Sequence, residues 1–242
     1  MYVNTSVAWE SLSKSERKHK LNVYNFVGYN SLIANFEYSP SKDYRALLQG
    51  IQEQSTMNIY GKIIITPKTQ KQLKNALKNL KTNSDFLISV NSIDKDILTI
   101  AINDSRVDII SFPNIQDLRY VTSGIISLLK TQEKFIEISI RDVLRTTTQE
   151  RSRLFHEIDK FLRTVSNNTQ ILLYGGYERS IYEIRGPHEI ATIFTAIFDL
   201  PLQTSKKIVQ SNPERLIEIL LERKSSNHFS QGVRIISQQN KE

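Results

Sequence analysis

Lys71, Lys74, Lys78 and Lys81 recur three or four residues apart, in a stretch whose apolar residues Leu73, Ala76, Leu77 and Leu80 fall on the opposite side of a helical wheel. Ammonium groups about one turn apart can follow a phosphate backbone, and each contact releases condensed counterions. From Gly61 to Ser84 the chain carries six lysines and no acidic residue. A solvated outer helix is the competing reading, although solvated faces usually mix charges of both signs. Two further anion candidates lie downstream. Gly175-Gly176 follows the apolar run Leu172-Leu173-Tyr174, so its backbone could approach an anion closely, or simply turn. Arg179 and Arg185 come next, and Arg185-Gly186-Pro187 places a guanidinium at the threshold of a helix, where an anion is favoured or the arginine is incidental.

Residues for hydrolytic chemistry are scarce. The four histidines, His19, His156, His188 and His228, include no His-x-His and no His-x-x-x-His pair. His156 falls on the polar side of a helix and His188 follows a helix-starting proline, so both read as structural. There is no Gly-x-Ser-x-Gly, no Gly-x-x-x-x-Gly-Lys and no Gly-x-Gly-x-x-Gly, and no cysteine at all. The expectation is a chain with no catalytic residues, no metal ligands and no cofactor.

Positioning falls to alternating strands and helices. Short apolar or β-branched runs read as strands at 2–8, 32–38, 60–66, 86–91, 107–112, 135–140 and 170–174. Helical patterns separate them. One spans 147–165, with Thr147 and Glu150 as a capping-box candidate; another spans 117–130; two more open with Pro187 and Pro213 in the first turn. This βα rhythm predicts an α/β fold, a TIM-barrel-like barrel of seven strands with a possible short eighth near Ile208–Val209, or else an open doubly wound sheet. Residues 1–224 form one predicted domain, and the polar stretch 225–242 a mobile or surface-draped tail.

Composition agrees with a polyanionic partner. The 242 residues carry 32 Lys+Arg against 25 Asp+Glu, a net charge of +7, and the pI is about 9.4. The absence of cysteine, of a spanning apolar run and of a signal-peptide pattern predicts a cytoplasmic protein with no membrane role.

Four short segments resemble a known family in order and spacing. Ser105-Arg106-Val107-Asp108-Ile109-Ile110-Ser111 resembles a strand of the archaeal and eukaryotic ribonuclease P protein family called component 3. Phe135-Ile136-Glu137-Ile138 is similar to the strand that follows in that family, Arg185-Gly186-Pro187-His188-Glu189-Ile190 to its R-x-P-x-E turn, and Phe26-Val27-Gly28-Tyr29 with Leu32-Ile33-Ala34-Asn35 to its early segment. The resemblance covers roughly residues 2 to 200. It implies a barrel related to metal-dependent PHP phosphoesterases. It also implies a subunit of the ribonucleoprotein that removes 5′ leaders from precursor tRNA, in which RNA performs the cleavage. Partners would then be ribonuclease P RNA, precursor tRNA through the complex, and other protein subunits, one of them a direct heteromeric partner. PHP enzymes offer a His-x-His pair on the first strand, whereas this chain reads Val3-Asn4-Thr5-Ser6-Val7, and Gly175-Gly176 stands where the family has a Ser-Ser stretch. RNA-binding candidates are therefore Arg119, Lys130, Arg141, Arg179, Arg185 and the four lysines; ion pairs of Arg119 and Arg141 to Asp117 and Asp142 are the alternative. A self-sufficient metal phosphoesterase and a protein-only interaction module are the rival functions.

Overall fold

A computed structural model describes residues 1–9, 12–80, 85–224, 228–230 and 233–234. Its strands are β1 (Val3–Ala8), β2 (Ser31–Glu37), β3 (Asn58–Ile65), β4 (Leu87–Val90), β5 (Ile109–Phe112), β6 (Phe135–Ile138) and β7 (Leu172–Tyr174). They pair in parallel and in sequence order, β1 beside β2 through to β7, which excludes the doubly wound alternative, whose strand order reverses at a switch point. The intervening helices are α1 (Lys14–Phe26), α2 (Tyr44–Gln52), α3 (Gln70–Asn79), α4 (Lys95–Asn103), α5 (Ser123–Thr131), α6 (Arg141–Arg145) and α7 (Thr148–Val165). After β7 come α8 (Pro187–Ala196), α9 (Leu202–Val209) and α10 (Ser211–Lys224). Two short strands, β8 (His228–Ser230) and β9 (Val233–Arg234), then pair antiparallel within the stretch expected to be a mobile or surface-draped tail; the rest of that stretch lies outside the described residues.

Local chemistry sets the helix starts. Ser13 and Glu16 form a capping box on α1, while Asp43, Thr69, Asp94 and Thr122 accept backbone N–H bonds at the starts of α2, α3, α4 and α5. Two expectations need correction. The helix expected over 117–130 is a 3₁₀ turn, Ile115–Tyr120, and then α5, because the extended backbone at Val121 and Thr122 breaks the run and Thr122 caps afresh. At α7 the hydroxyl that meets Glu150 belongs to Thr146, not Thr147.

Strand alternation sorts the barrel interior into two layers. The lower layer holds Val3, Ile33, Leu87, Ile109, Phe135 and Leu173, and it forms one buried cluster with Leu216, Ile217 and Leu220 of α10. That helix therefore plugs the N-terminal end of the barrel. It is held by the Arg223–Asp108 ion pair at one end and the Met1 amine–Glu214 pair at the other. A second, larger cluster lies between the strands and the surrounding helices.

The expected eighth strand is a helix: Ile208 and Val209 lie in α9, where buried Ser205, Ile208 and Val209 recur at helical spacing and Lys206 and Lys207 face out. Side chains and a loop close the gap between β1 and β7 instead. The Tyr177 N–H donates to the Ser6 carbonyl at 2.8 Å and Thr5 Oγ1 to the Tyr174 carbonyl at 2.8 Å. From below, Asn212 Nδ2 donates to the Leu172 carbonyl at 2.7 Å, covering an edge that an eighth strand would have paired.

Candidate functional site

The upper interior layer reads Thr5, Asn35, Lys62, Ser89, Ser111, Glu137 and Gly175, one position from each strand or its end, two residues beyond the apolar layer where that layer has a member. βα barrels carry their chemistry at this end. Here its centre is an ion pair with both side chains at 0% exposure: Lys62 Nζ to Glu137 Oε2 at 2.7 Å and Oε1 at 2.9 Å. The ammonium also donates to the Thr5 carbonyl at 2.7 Å and to Ser6 Oγ. Glu137 accepts further bonds from Tyr177 Oη at 2.5 Å and Ser6 Oγ at 2.9 Å. Thr5 and Ser6 can both face the pair because β1 bulges there: its register against β2 runs Asn4↔Leu32 and then Val7↔Ala34. Burial pulls the Lys62 pKa down and the adjacent Glu137 charge partly restores it.

A second buried carboxylate, Glu178, accepts from Tyr24 Oη at 2.6 Å and Asn4 Nδ2 at 3.0 Å. Burial raises its pKa, against the opposing pull of the Tyr24 bond and the Lys20 charge. These two carboxylates fill the hollow of the Gly175-Gly176 loop. A Cβ on Gly176 would lie 2.0 Å from Glu178 Oε1, and one on Gly175 would lie 2.8 Å from Glu137 Cδ. The loop's amides are bonded too, Gly175 N to the Ile138 carbonyl at 2.9 Å and Gly176 N to Asn4 Oδ1 at 3.2 Å. The candidate phosphate cradle is thus occupied by the chain's own acids, the alternative of a simple turn holds, and glycine is required by close approach.

Asn4 and Ser6, the positions at which the resemblance would lead one to look for a metal-binding histidine pair, both serve as hydrogen-bond partners of buried carboxylates. An ammonium holds the central cation position and protein donors engage both acids. That donor set does not suit a catalytic divalent cation. No cluster of three His, Cys, Asp or Glu able to hold a metal occurs among the described residues. His19, His156 and His188 are exposed, His188 lying edge-on to the Tyr2 ring at 5.0 Å.

The RNA-binding candidates are scattered around this sealed core. Arg119 is exposed, its guanidinium 4.9 Å from the Tyr120 ring rather than paired with Asp117. Lys130 is exposed in the last turn of α5. Arg141 is buried and donates to the Tyr177 carbonyl at 2.9 Å and to Asp142 at 3.2 Å, so it braces the loop that carries Tyr177. Arg179 is exposed. Arg185 is half-buried and donates to the Tyr182 and Ile184 carbonyls, each at 2.9 Å. The N-terminus of α8 that it was expected to flank is taken by Glu189, which accepts the Gly186 N–H at 2.8 Å. Lys71, Lys74 and Lys78 are exposed on α3, opposite buried Leu73, Ala76 and Leu77; Lys81 lies outside the described residues. Of the six lysines in that acid-free stretch, Lys62 points into the barrel and cannot meet a partner.

The family model described as RNase P subunit p30 matches residues 1–225. A ribonuclease P protein component 3 of Methanococcus maripaludis is 24% identical over 204 residues, covering 84% of this chain and 85% of that protein. The same-named protein of a second strain of that species is 23% identical over 188 residues, covering 77% of this chain and 79% of that protein. Among solved structures, a chain of archaeal ribonuclease P, determined by cryo-electron microscopy with mature tRNA, superposes with a TM-score of 0.79 at 16% identity, covering 99% of this chain and 100% of that one.

Proposed function

The chain belongs to the RNase P subunit p30 family, and from that premise we propose that it serves ribonuclease P as a protein subunit that binds and supports the catalytic RNA while lacking an active site of its own. The observation that carries the second half is the Lys62–Glu137 pair, which fills the mouth where a barrel enzyme would hold substrate and metal. The exposed cations Lys71, Lys74, Lys78, Arg119, Lys130 and Arg179 are the RNA contacts in this reading, which also counts Lys81 and the half-buried Arg185, while Arg141 acts indirectly through the Tyr177 loop. Other faces dock further protein subunits, one of them directly. No helix among the described residues is long and apolar enough to cross a membrane. The proposed working place, the cytoplasm, follows from the proposed ribonuclease P role and not from that absence.

Reconstitution tests this. With ribonuclease P RNA and the remaining subunits, adding the chain should raise the rate of 5′ leader removal from precursor tRNA. The purified chain alone, with Mg²⁺, Mn²⁺ or Zn²⁺, should leave that substrate intact. Metal-dependent cleavage that co-elutes with the chain and disappears on mutation would refute the assignment.

A further inference from the structure

Phe26, the last residue of α1, is 90% exposed, and Tyr182, in the turn Ile181–Glu183 before α8, is 84% exposed. They are the most exposed large apolar side chains among the described residues. The segments that carry them are pinned together. Lys20 Nζ donates to the Glu178 carbonyl at 2.9 Å, Tyr24 Oη to the Glu178 carboxylate at 2.6 Å and Tyr29 Oη to the Arg185 carbonyl at 3.0 Å. Gly186 sits so close to α1 that a Cβ there would lie 2.7 Å from the Val27 carbonyl oxygen. The two segments that carry the rings are therefore braced against each other along one edge of the barrel.

The surroundings are cationic and amide-rich. Lys14, Lys18, Asn22 and Phe26 recur every fourth residue and form one exposed stripe along α1, with exposed Asn25 beside it. Arg179 is exposed next to the turn, and the Arg185 guanidinium is held against it by its bond to the Tyr182 carbonyl. Nearby acids have partners of their own. Glu16 accepts the Ser13 N–H at 2.7 Å, Glu183 the Arg179 N–H at 2.9 Å and the Arg145 guanidinium at 3.2 Å, and Glu189 the Gly186 N–H.

We propose that this edge binds single-stranded RNA, Phe26 and Tyr182 stacking on unpaired bases while Lys14, Lys18 and Arg179 follow the phosphates. The inference rests on the proposed role as an RNA-binding subunit and adds a mode that the lysine helix α3 lacks, because lysines meet phosphates and aromatic rings meet bases. Two rings set among cations and amides fit this ligand, whereas a protein-docking face has a depleted-charge, contiguous apolar centre.

Binding of the full chain to a short oligoadenylate and to an RNA duplex, followed by fluorescence anisotropy across a salt series, tests the proposal. A stack of about 1 kcal/mol is about fivefold in affinity, so Phe26→Ala with Tyr182→Ala should weaken oligoadenylate binding at least about 25-fold and leave duplex binding and the salt slope unchanged. Lys14→Gln with Lys18→Gln should instead lower the single-strand salt slope, by about 0.7 per lost contact. Because both rings are exposed, the aromatic variant should melt as the wild type does. If the wild type binds oligoadenylate and the aromatic variant binds it equally well, the stacking site is refuted and the broader role stands. If the wild type binds neither RNA, both are refuted. If the aromatic variant keeps its RNA affinity but no longer joins the other protein subunits in reconstitution, the edge is a protein interface and the proposal falls.

Discussion

A lysine ammonium removed from water is stable only where oxygen acceptors replace its hydration, and Lys62 has four of them within bonding distance. Removing its charge leaves the Glu137 carboxylate buried and unbalanced. Lys62→Met should therefore lower unfolding free energy by about 3–5 kcal/mol, read as a shift in urea midpoint at constant m. Lys62→Met combined with Glu137→Gln should cost less than Lys62→Met alone. A wild-type midpoint for the single variant would show that the pair is not the cation–carboxylate contact described. Glu178 gives a pH signature of the opposite sense to an ordinary surface carboxylate. Its folded pKa is raised above the usual 4.5, so the folded state binds the proton more tightly than the unfolded chain does. Its contribution is then fully present below pH 4.5 and is lost as pH rises through the folded value. The stability difference, wild type minus Glu178→Gln, should decline from pH 4.5 towards 7; a rise would contradict it. Lys62 and Glu137 were visible in the sequence as charged residues inside apolar strands, but runs buried on both faces do not say which way a given side chain points. What the sequence could not supply was their pairing across 75 residues, which requires the barrel to close.

At the scale of elements, strands were legible because their apolar runs are short and bounded, and all seven fall within about two residues of the segments expected. Misreadings came where tertiary context replaces an expected element. Barrel closure was expected to need an eighth strand, yet Asn212 at the start of α10 takes the Leu172 carbonyl at 2.7 Å and the Thr169 carbonyl just before β7 at 2.8 Å, while Thr5 takes the Tyr174 carbonyl, so side chains satisfy the edge of β7. The role of α10 as a plug was likewise hidden, since its pattern reads as an ordinary amphipathic helix until Leu216, Ile217 and Leu220 are seen to meet residues from six strands. Asn212→Leu should leave the buried Leu172 carbonyl unsatisfied at a cost of about 1–3 kcal/mol. Leu220→Ala should open a cavity at the barrel floor, costing about 2–5 kcal/mol. Both are measurable by chemical denaturation. If Asn212→Leu also speeds hydrogen exchange of the β7 amides while Leu220→Ala lowers only global stability, edge closure and floor packing are separable functions of the same helix.

Across the whole molecule, some cations are paired inside the barrel or against its floor while others stand in solvent. Lys62 is cancelled by Glu137 and Arg223 is paired with Asp108, whereas Lys71, Lys74 and Lys78 project from α3 into solvent. Their wheel position was readable from sequence because helical period and charge agree there, and Lys62 falls in the strand expected at 60–66 rather than with them; that its side chain points into the barrel was not readable. Lysine is a flexible point charge, so this face should neutralise phosphate without discriminating bases. Replacing Lys71, Lys74, Lys78 and Lys81 by Gln should leave the fold intact, because the described three lie opposite the buried Leu73–Leu77 side of α3. RNA binding should weaken to a similar degree for unrelated sequences, with the log-affinity against log-salt slope falling by about 0.9 for each lost duplex-type contact or about 0.7 for each single-strand contact. An unchanged slope would make the face a solvated surface. A loss confined to one RNA sequence would make it a specific reader, contrary to the chemistry of its side chains.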